Sequence, residues 1–456
     1  MKKEAIIFVC SECGHTSTKW LGRCPDCGSW NSFSEQMQSP KKKGHEKSTQ
    51  KESKLISIQD VTIDKGFKFT SNISEFDRVL GGSIMHGGSI LIGGEPGIGK
   101  STLMLQVVAS LDNKKAIYVS GEESSQQVKT RCERLELPLS SISLFNDTNL
   151  SAIQDIMAKE KPDVMVIDSL QTLSSDEIAS PPGSVNQMRM CAMELSDSAK
   201  QHGCAIFFVG HITKEGQIAG PKVIEHIVDT VLYFELSDSG ARIIRATKNR
   251  FGSIDEIGIF LMNEKGLVPV PDPAGFFLNK RNGKTLPAGI AFGTMVEGSR
   301  TFLVEIQALT IPVKNGGYSR VYSERIDTSL VSRIAAVLER HGKVGLSQYD
   351  VYVNVAGGIK LKDVAIELPL ALALYSAVSG NPLPHTLVSM GELSLAGEVR
   401  PVGFSDKRIK GALEMGFSTL LLAESTTVEL RGRILRCETL SDALDIVKTL
   451  STGVSK

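Results

Sequence analysis

The stretch Gly94-Glu95-Pro96-Gly97-Ile98-Gly99-Lys100-Ser101, followed by Thr102, has the spacing GxxxxGK[ST] of a loop that holds nucleotide phosphates. Its glycines let backbone N–H groups close around phosphate oxygens, and Lys100 reaches the terminal phosphates. The helix that starts at its end adds a positive dipole end, and Ser101 offers a hydroxyl to Mg²⁺. The apolar run "SILIGG" before it and "STLMLQVVASL" after it are the strand and helix such a loop needs. ATP and Mg²⁺ are therefore the expected ligand and cofactor.

Two further strand ends carry carboxylates. "DVMVID" ends in Asp168, placed to hold the magnesium with Ser101. "KAIYVSGEES" ends in Glu122 and Glu123; Glu122 is read as the base that orients and deprotonates the attacking water, against the plainer reading of a solvated turn. His211, after "CAIFFVG", is either a sensor of the γ-phosphate or a structural histidine.

Four of the eight cysteines form two CxxC pairs, Cys10/Cys13 and Cys24/Cys27, around a polar, Gly-containing stretch. Four thiolates on paired knuckles make the closed tetrahedral shell of structural zinc. Disulfides do not suit a reducing compartment, and a redox CxxC does not need two copies. A ribbon this small needs the metal to fold.

The last chemical stretch is "TKNRFG". Lys248 and Arg250 flank Asn249 at the end of the alternating run "ARIIRATKN", so both cations point one way and the Asn the other. On residues alone they are either a surface pair on a hairpin or a pair of cations held out toward a phosphate.

The elements that position these groups are legible in outline. Residues 1–33 read as the zinc ribbon, and 34–57, Lys-rich and without periodicity, as a flexible linker. From 58 to 274, short apolar runs alternate with amphipathic stretches, the pattern of buried parallel strands under helices in a doubly wound α/β unit. Residues 275–456 interleave strands and helices as an α+β unit without a second phosphate loop. At 456 residues several cores are affordable in length, and no apolar run approaches a membrane span, so a cytoplasmic protein with no membrane partner is expected. Lys plus Arg equals Asp plus Glu at 51 each, so any nucleic-acid surface must be local.

Taken together, the "CSECG" and "GRCPDCGSWNSF" ribbon, "GGEPGIGKST", "SGEES" and "KNRFG" resemble the bacterial RadA (Sms) family of DNA-repair proteins over essentially the whole chain. The resemblance implies a RecA-like ATPase core related to ring helicases, a C-terminal unit like the proteolytic domain of Lon, and a DNA-stimulated motor that extends recombination branches. It implies a homo-hexamer acting on single-stranded and branched DNA, with a RecA-type recombinase as partner. In such a ring the nucleotide lies at a subunit boundary, which favours Lys248 and Arg250 as a finger pair acting on the neighbour's γ-phosphate. Lys214 and Lys222 then fall in loops facing the central channel, as DNA-phosphate contacts or as solvated charges.

The C-terminal unit departs from Lon where proteolysis needs it. Ala365 stands in "KLKDVAIELP" at the position of the nucleophilic Ser, and Asp406 stands at that of the Lys base. Without them no acyl-enzyme forms. The implied use is assembly or DNA binding, with Arg320 and Arg325 either lining a DNA path or forming a solvated face. Two competitors are a nucleotide-gated DNA or recombinase scaffold that does not translocate, and an ATP-dependent protease, disfavoured by Ala365 and Asp406.

Overall fold

The structure, a computed structural model, describes residues 6–10, 16–25, 28, 30–37, 57–60, 67–178, 180–211, 223–237, 240–270, 275, 278, 286–313, 318–427 and 433–452. The chain divides into two compact units, Met1–Glu235 with Arg242–Pro269, and Leu236–Ala241 with Val270–Lys456.

In the N-terminal ribbon, β1 (Ile6–Cys10) pairs antiparallel with β2 (Thr16–Ser17) and β3 (Phe33–Met37). The ribbon thus runs to Met37, four residues into the stretch 34–57 expected to be a linker. That strand is polar because, of its residues, Phe33 is buried while Ser34 and Glu35 face solvent. Backbone pairing rather than a hydrophobic face holds it, and periodicity does not register that.

The first unit then forms two short strands, β4 (Lys68–Phe69) and β5 (Ile84–Met85), and a nine-stranded sheet. Its parallel members are β6 (Ser89–Gly94), β7 (Ala116–Ser120), β8 (Ser143–Phe145), β9 (Val164–Asp168), β10 (Ala205–His211) and β11 (Thr230–Leu236). Three more strands, β12 (Arg242–Asn249), β13 (Ile257–Asn263) and β14 (Gly266–Pro269), extend one edge. The spatial order is β14-β13-β12-β11-β6-β10-β9-β7-β8.

Helices cover both faces: α1 (Ser74–Val79), α2 (Lys100–Ser110) and α3 (Ser125–Arg134) contribute to one core, α4 (Leu150–Glu160) and α5 (Val185–His202) to the other. Strand β10 shows why its sequence is continuously apolar. Phe207 and Val209 pack into the first core, Ile206 and Phe208 into the second. The doubly wound expectation is what the strands and helices form.

The second unit has a seven-stranded sheet, in the order β17-β18-β16-β15-β19-β22-β23. Its strands are β15 (Ile290–Glu297), β16 (Arg300–Pro312), β17 (Val321–Ser323), β18 (Tyr349–Val355), β19 (Leu387–Ser389), β22 (Thr419–Ala423) and β23 (Arg433–Cys437), with a β20–β21 ribbon (Glu392–Leu393, Val399–Arg400) beside it. Four helices accompany them: α6 (Thr328–Gly342), α7 (Glu367–Ser379), α8 (Ser405–Glu414) and α9 (Leu440–Thr452).

Ala365 is fully buried in the short turn Val364–Ile366, whose backbone is capped by Asp363: the Ala365 N–H donates to Asp363 Oδ1 at 3.0 Å. Asp406 lies in the first turn of α8. What fills this region is an ion pair. Arg408 Nη2 is 2.7 Å from Asp363 Oδ2, while Arg408 Nε and Nη1 donate to the carbonyls of Gly403 and Thr294 at 2.8 and 3.0 Å. Arg408 is buried, so its removal strands a carboxylate away from water. Arg408→Ala is expected to destabilise the second unit by about 3–5 kcal/mol, measured as a fall in the urea midpoint of its transition; an unchanged midpoint refutes the clamp.

Candidate functional site

The parallel strands align their C-terminal ends. His211 pairs in register with Gly94, and Asp168 with both Val209 and Ser120. The phosphate loop, Asp168, the Glu122 turn and His211 therefore open onto one cleft of about 390 Å³. The loop needs its glycines: Gly97 and Gly99 have φ of 77° and 117°, which side chains with a Cβ rarely adopt. Gly99 precedes α2, so Lys100 and Ser101 fall on its first turn.

The Lys100 ammonium donates to the carbonyls of Gly94 and Glu95 at 2.8 and 2.9 Å and to His211 Nδ1 at 3.1 Å. With Nδ1 accepting, the neutral imidazole carries its proton on Nε2, and Nε2 lies 3.4 Å from Glu122 Oε1. The Ser169 hydroxyl donates to the same oxygen. A polar chain thus links Lys100 to Glu122 through His211. Glu123, its neighbour, turns to Arg131 and is ion-paired there.

Asp168 accepts a hydrogen bond from Tyr118 through Oδ2. Burial, then the Asp168 charge and that bond, push the Tyr118 phenol well up, so it stays a donor. Asp168 and Ser101 line the same cleft, residues whose hard oxygens suit a Mg²⁺ keeping most of its waters. Bound there, the ion would neutralise charge on the β- and γ-phosphates.

Several groups escape sequence reading. Tyr118 is one aromatic within an apolar strand, and Ser169 follows an Asp with no motif of its own. Arg131 and Arg134 also line the cleft; their one signal is a three-residue spacing on an amphipathic helix.

The two cations of "TKNRFG" are not equivalent, which corrects the expectation of a like pair. Lys248 Nζ donates to the carbonyls of Glu225, His226 and Val228 at 2.8, 3.4 and 2.6 Å, satisfying a helical turn of its own subunit. Its pKa is lowered by burial and then by Arg250. Arg250 is 57% exposed at its side chain, 3.6 Å from Asp229 Oδ1. Asn249 points inward, where Oδ1 accepts the Phe251 N–H at 3.0 Å and shapes the turn.

Of the proposed DNA contacts, Lys214 and Lys222 lie outside the described residues. Arg320 is exposed and 3.9 Å from Asp350 Oδ1. Arg325 is half-buried, its carbonyl accepting the Leu361 N–H at 2.9 Å.

In the ribbon, Cys10 and Cys24 are buried together against Phe33, Phe8 and Leu21, and Ser32 Oγ is 3.1 Å from Cys10 Sγ. Two buried thiols and a hydroxyl beside one of them fit a zinc knuckle and its outer hydrogen bond. Cys13 and Cys27 lie outside the described residues. Trp30 is exposed with Arg23 over its ring at 5.7 Å, so the knuckle presents an aromatic and a cation outward.

Two outcomes are expected. Cys24→Ser releases zinc and unfolds the ribbon while ATP binding persists; metal analysis finding no zinc in the wild-type chain refutes this. Burial pushes the Lys100 pKa down to about 8, against the opposing pull of Asp168 and Glu122. Bound phosphates favour the ammonium, so the bound pKa is higher than the free one. Below about pH 8 both forms are protonated and affinity is flat; above it binding takes up a proton and affinity falls, by up to about tenfold per pH unit. Calorimetric titration with a non-hydrolysable ATP analogue on either side of that pH checks the sign, and a flat profile refutes it.

Residues 8–35 match the family described as "Rubredoxin metal binding domain", 51–217 match "AAA domain", and 325–426 match "Subunit ChlI of Mg-chelatase". The chain is 45% identical to the DNA repair protein RadA of Treponema pallidum over 421 residues, 92% of each chain. It is 42% identical to those of Pseudomonas aeruginosa and Bacillus subtilis, over 92% of this chain and 93% of each relative. A KaiC-like protein from Pyrococcus horikoshii, 18% identical, aligns over 45% of this chain and 99% of its own with a TM-score of 0.38. With that identity sustained over 92% of its length, the chain belongs to the RadA family of DNA-repair proteins, combining a zinc ribbon, a RecA-like P-loop core and a Lon-protease-like domain.

Proposed function

We propose that the chain is a DNA-stimulated ATPase that works as a homo-hexameric ring, moving on single-stranded and branched DNA to process recombination intermediates beside a RecA-type recombinase. Zinc is held by Cys10, Cys13, Cys24 and Cys27. Mg²⁺ is held through Ser101 and Asp168, and supplies charge neutralisation at the phosphates. Lys100 meets the β- and γ-phosphates. Glu122 orients the attacking water and takes its proton, while His211, between Lys100 and Glu122, couples phosphate occupancy to that carboxylate.

The observation that carries the ring is where Arg250 lies. Its backbone N–H donates to the carbonyl of Asp229 at 3.1 Å, and Asp229 Oδ2 in turn accepts the N–H of Ser89. Arg250 therefore sits at the start of β6 and β11, whereas the phosphate loop follows the end of β6. Strand β6 is six residues long, about 20 Å at the strand rise. An exposed cation on the far edge of the sheet is out of reach of its own cleft and available to a neighbour's. This supports action in trans by Arg250, with Lys248 fixing the turn that presents it.

Arg250→Ala is expected to bind ATP nearly normally and to hydrolyse it slowly, by on the order of a thousandfold, since a finger cation acts on transition-state charge. Lys100→Ala fails through its own phosphate loop. Mixed rings of the two restore part of the DNA-stimulated rate, because some boundaries join an intact loop to an intact finger. No recovery, with mixing confirmed by an assembly assay, returns Arg250 to another role. Branch extension that proceeds equally with a non-hydrolysable analogue would indicate a nucleotide-gated scaffold instead of a motor.

A further inference from the structure

The turn that carries Arg250 meets the rest of its own unit through glycines. A Cβ on Gly252 would lie 2.8 Å from Gly81 Cα, and a Cβ on Gly81 would lie 3.0 Å from Gly252 Cα. Both distances are well inside the roughly 3.5–4.0 Å at which unbonded carbons rest. The turn after β12 and the chain leaving α1 therefore run back to back, with room between them for hydrogen and nothing larger.

The Gly81 side of this contact is fixed. Gly81 has a φ of 85°, and its N–H donates to the Arg78 carbonyl at 2.9 Å, closing α1. Helix α1 is in turn pressed onto β13: a Cβ on Gly258 would lie 2.5 Å from the Glu75 carbonyl oxygen, and Glu75 Oε2 accepts the Ile259 N–H at 3.0 Å. Phe251 rests on bare backbone as well, since a Cβ on Gly88 would lie 3.4 Å from its ring.

We infer that Gly252 and Gly81 are positioning residues for Arg250: their contact sets how far the turn stands off its own subunit, and so where the guanidinium meets the neighbour's γ-phosphate. The inference rests on Arg250 acting in trans. Gly252 is not among the glycines with positive φ, so its backbone conformation does not call for glycine; the contact with Gly81 does. Both glycines are exposed. A methyl group between them is therefore relieved by lifting the turn into solvent rather than by disrupting a core. Arg250, two residues away, moves with the turn, and a misplacement of about 1 Å costs on the order of a hundredfold in rate. The phosphate loop lies at the other end of β6 and is untouched.

Steady-state ATP hydrolysis with single-stranded DNA, by Gly252→Ala rings and by rings mixed with Lys100→Ala subunits, tests this. Gly252→Ala is expected to keep its ATP affinity and KM and to lose kcat on the order of a hundredfold. Mixing restores part of the rate, because the Lys100→Ala neighbour brings an unmoved finger to an intact loop. Gly252→Val, with a bulkier side chain, is slower still. A wild-type kcat in Gly252→Ala overturns the assignment. So does a lost ATP affinity, or a thermal midpoint that falls to the assay temperature, either of which makes the contact a support of the whole unit. A slow Gly252→Ala that mixing does not rescue, where Arg250→Ala is rescued, places the effect within its own subunit and also overturns it. If mixing rescues neither variant, the trans reading of Arg250 has failed, and the positioning role with it.

Discussion

Parallel pairing of β6, β10, β9 and β7 is the constraint on which the ATPase unit depends. Hydrogen bonds between neighbouring strands bring Gly94, His211, Asp168 and Ser120 to one edge although they are scattered along the chain. Each strand is buried on both faces, so a register slip would move side chains fitted to one core into the other. The stiffness that protects the core therefore also sets the positions of Lys100, His211 and Glu122 relative to one another. The sheet brings the loop, the carboxylate and the imidazole together, and the contacts among Lys100, His211 and Glu122 follow from it.

That edge also separates groups that look alike. Glu122 and Glu123 are adjacent carboxylates at one strand end, yet one is drawn to His211 and Ser169 and the other to Arg131. Lys248 and Arg250 are two cations on one strand end, yet one is committed to carbonyls of its own turn and the other faces solvent. In both pairs the distinction comes from what the fold places beside each side chain. Arg250 emerges at the opposite ends of those strands, so the length of β6 separates the proposed finger from the loop of its own subunit.

In the second unit an ion pair stands beside the turn where the resemblance to Lon places a nucleophile. The positions that carry the nucleophile and base in Lon-type proteases hold a buried Ala365 and Asp406, and the turn between them and the sheet is held by Asp363 and Arg408. A largely buried ion pair with further hydrogen bonds on both partners fixes geometry without offering a nucleophile. Such a unit is suited to presenting surfaces, with its charges outside that turn open to other uses.

What the sequence by itself determined was local chemistry: the phosphate loop between a strand and a helix, Asp168 at a strand end, the paired CxxC knuckles, and the missing Ser and Lys of the C-terminal unit. These depend on residue type and short spacing, which a chain displays directly. The parallel strands were legible for the same reason, since burial on both faces leaves a continuous apolar run. The polar strand β3 was not, because its pairing uses backbone groups that every residue carries. Only the tertiary structure decided that Tyr118 holds Asp168, that Arg131 takes Glu123, that Lys248 is committed to backbone carbonyls while Arg250 stays largely exposed, and that Arg250 lies at the opposite end of β6 from Lys100. Each of these is a contact or distance between residues far apart in sequence, set by strand register, and no local pattern of side chains encodes it.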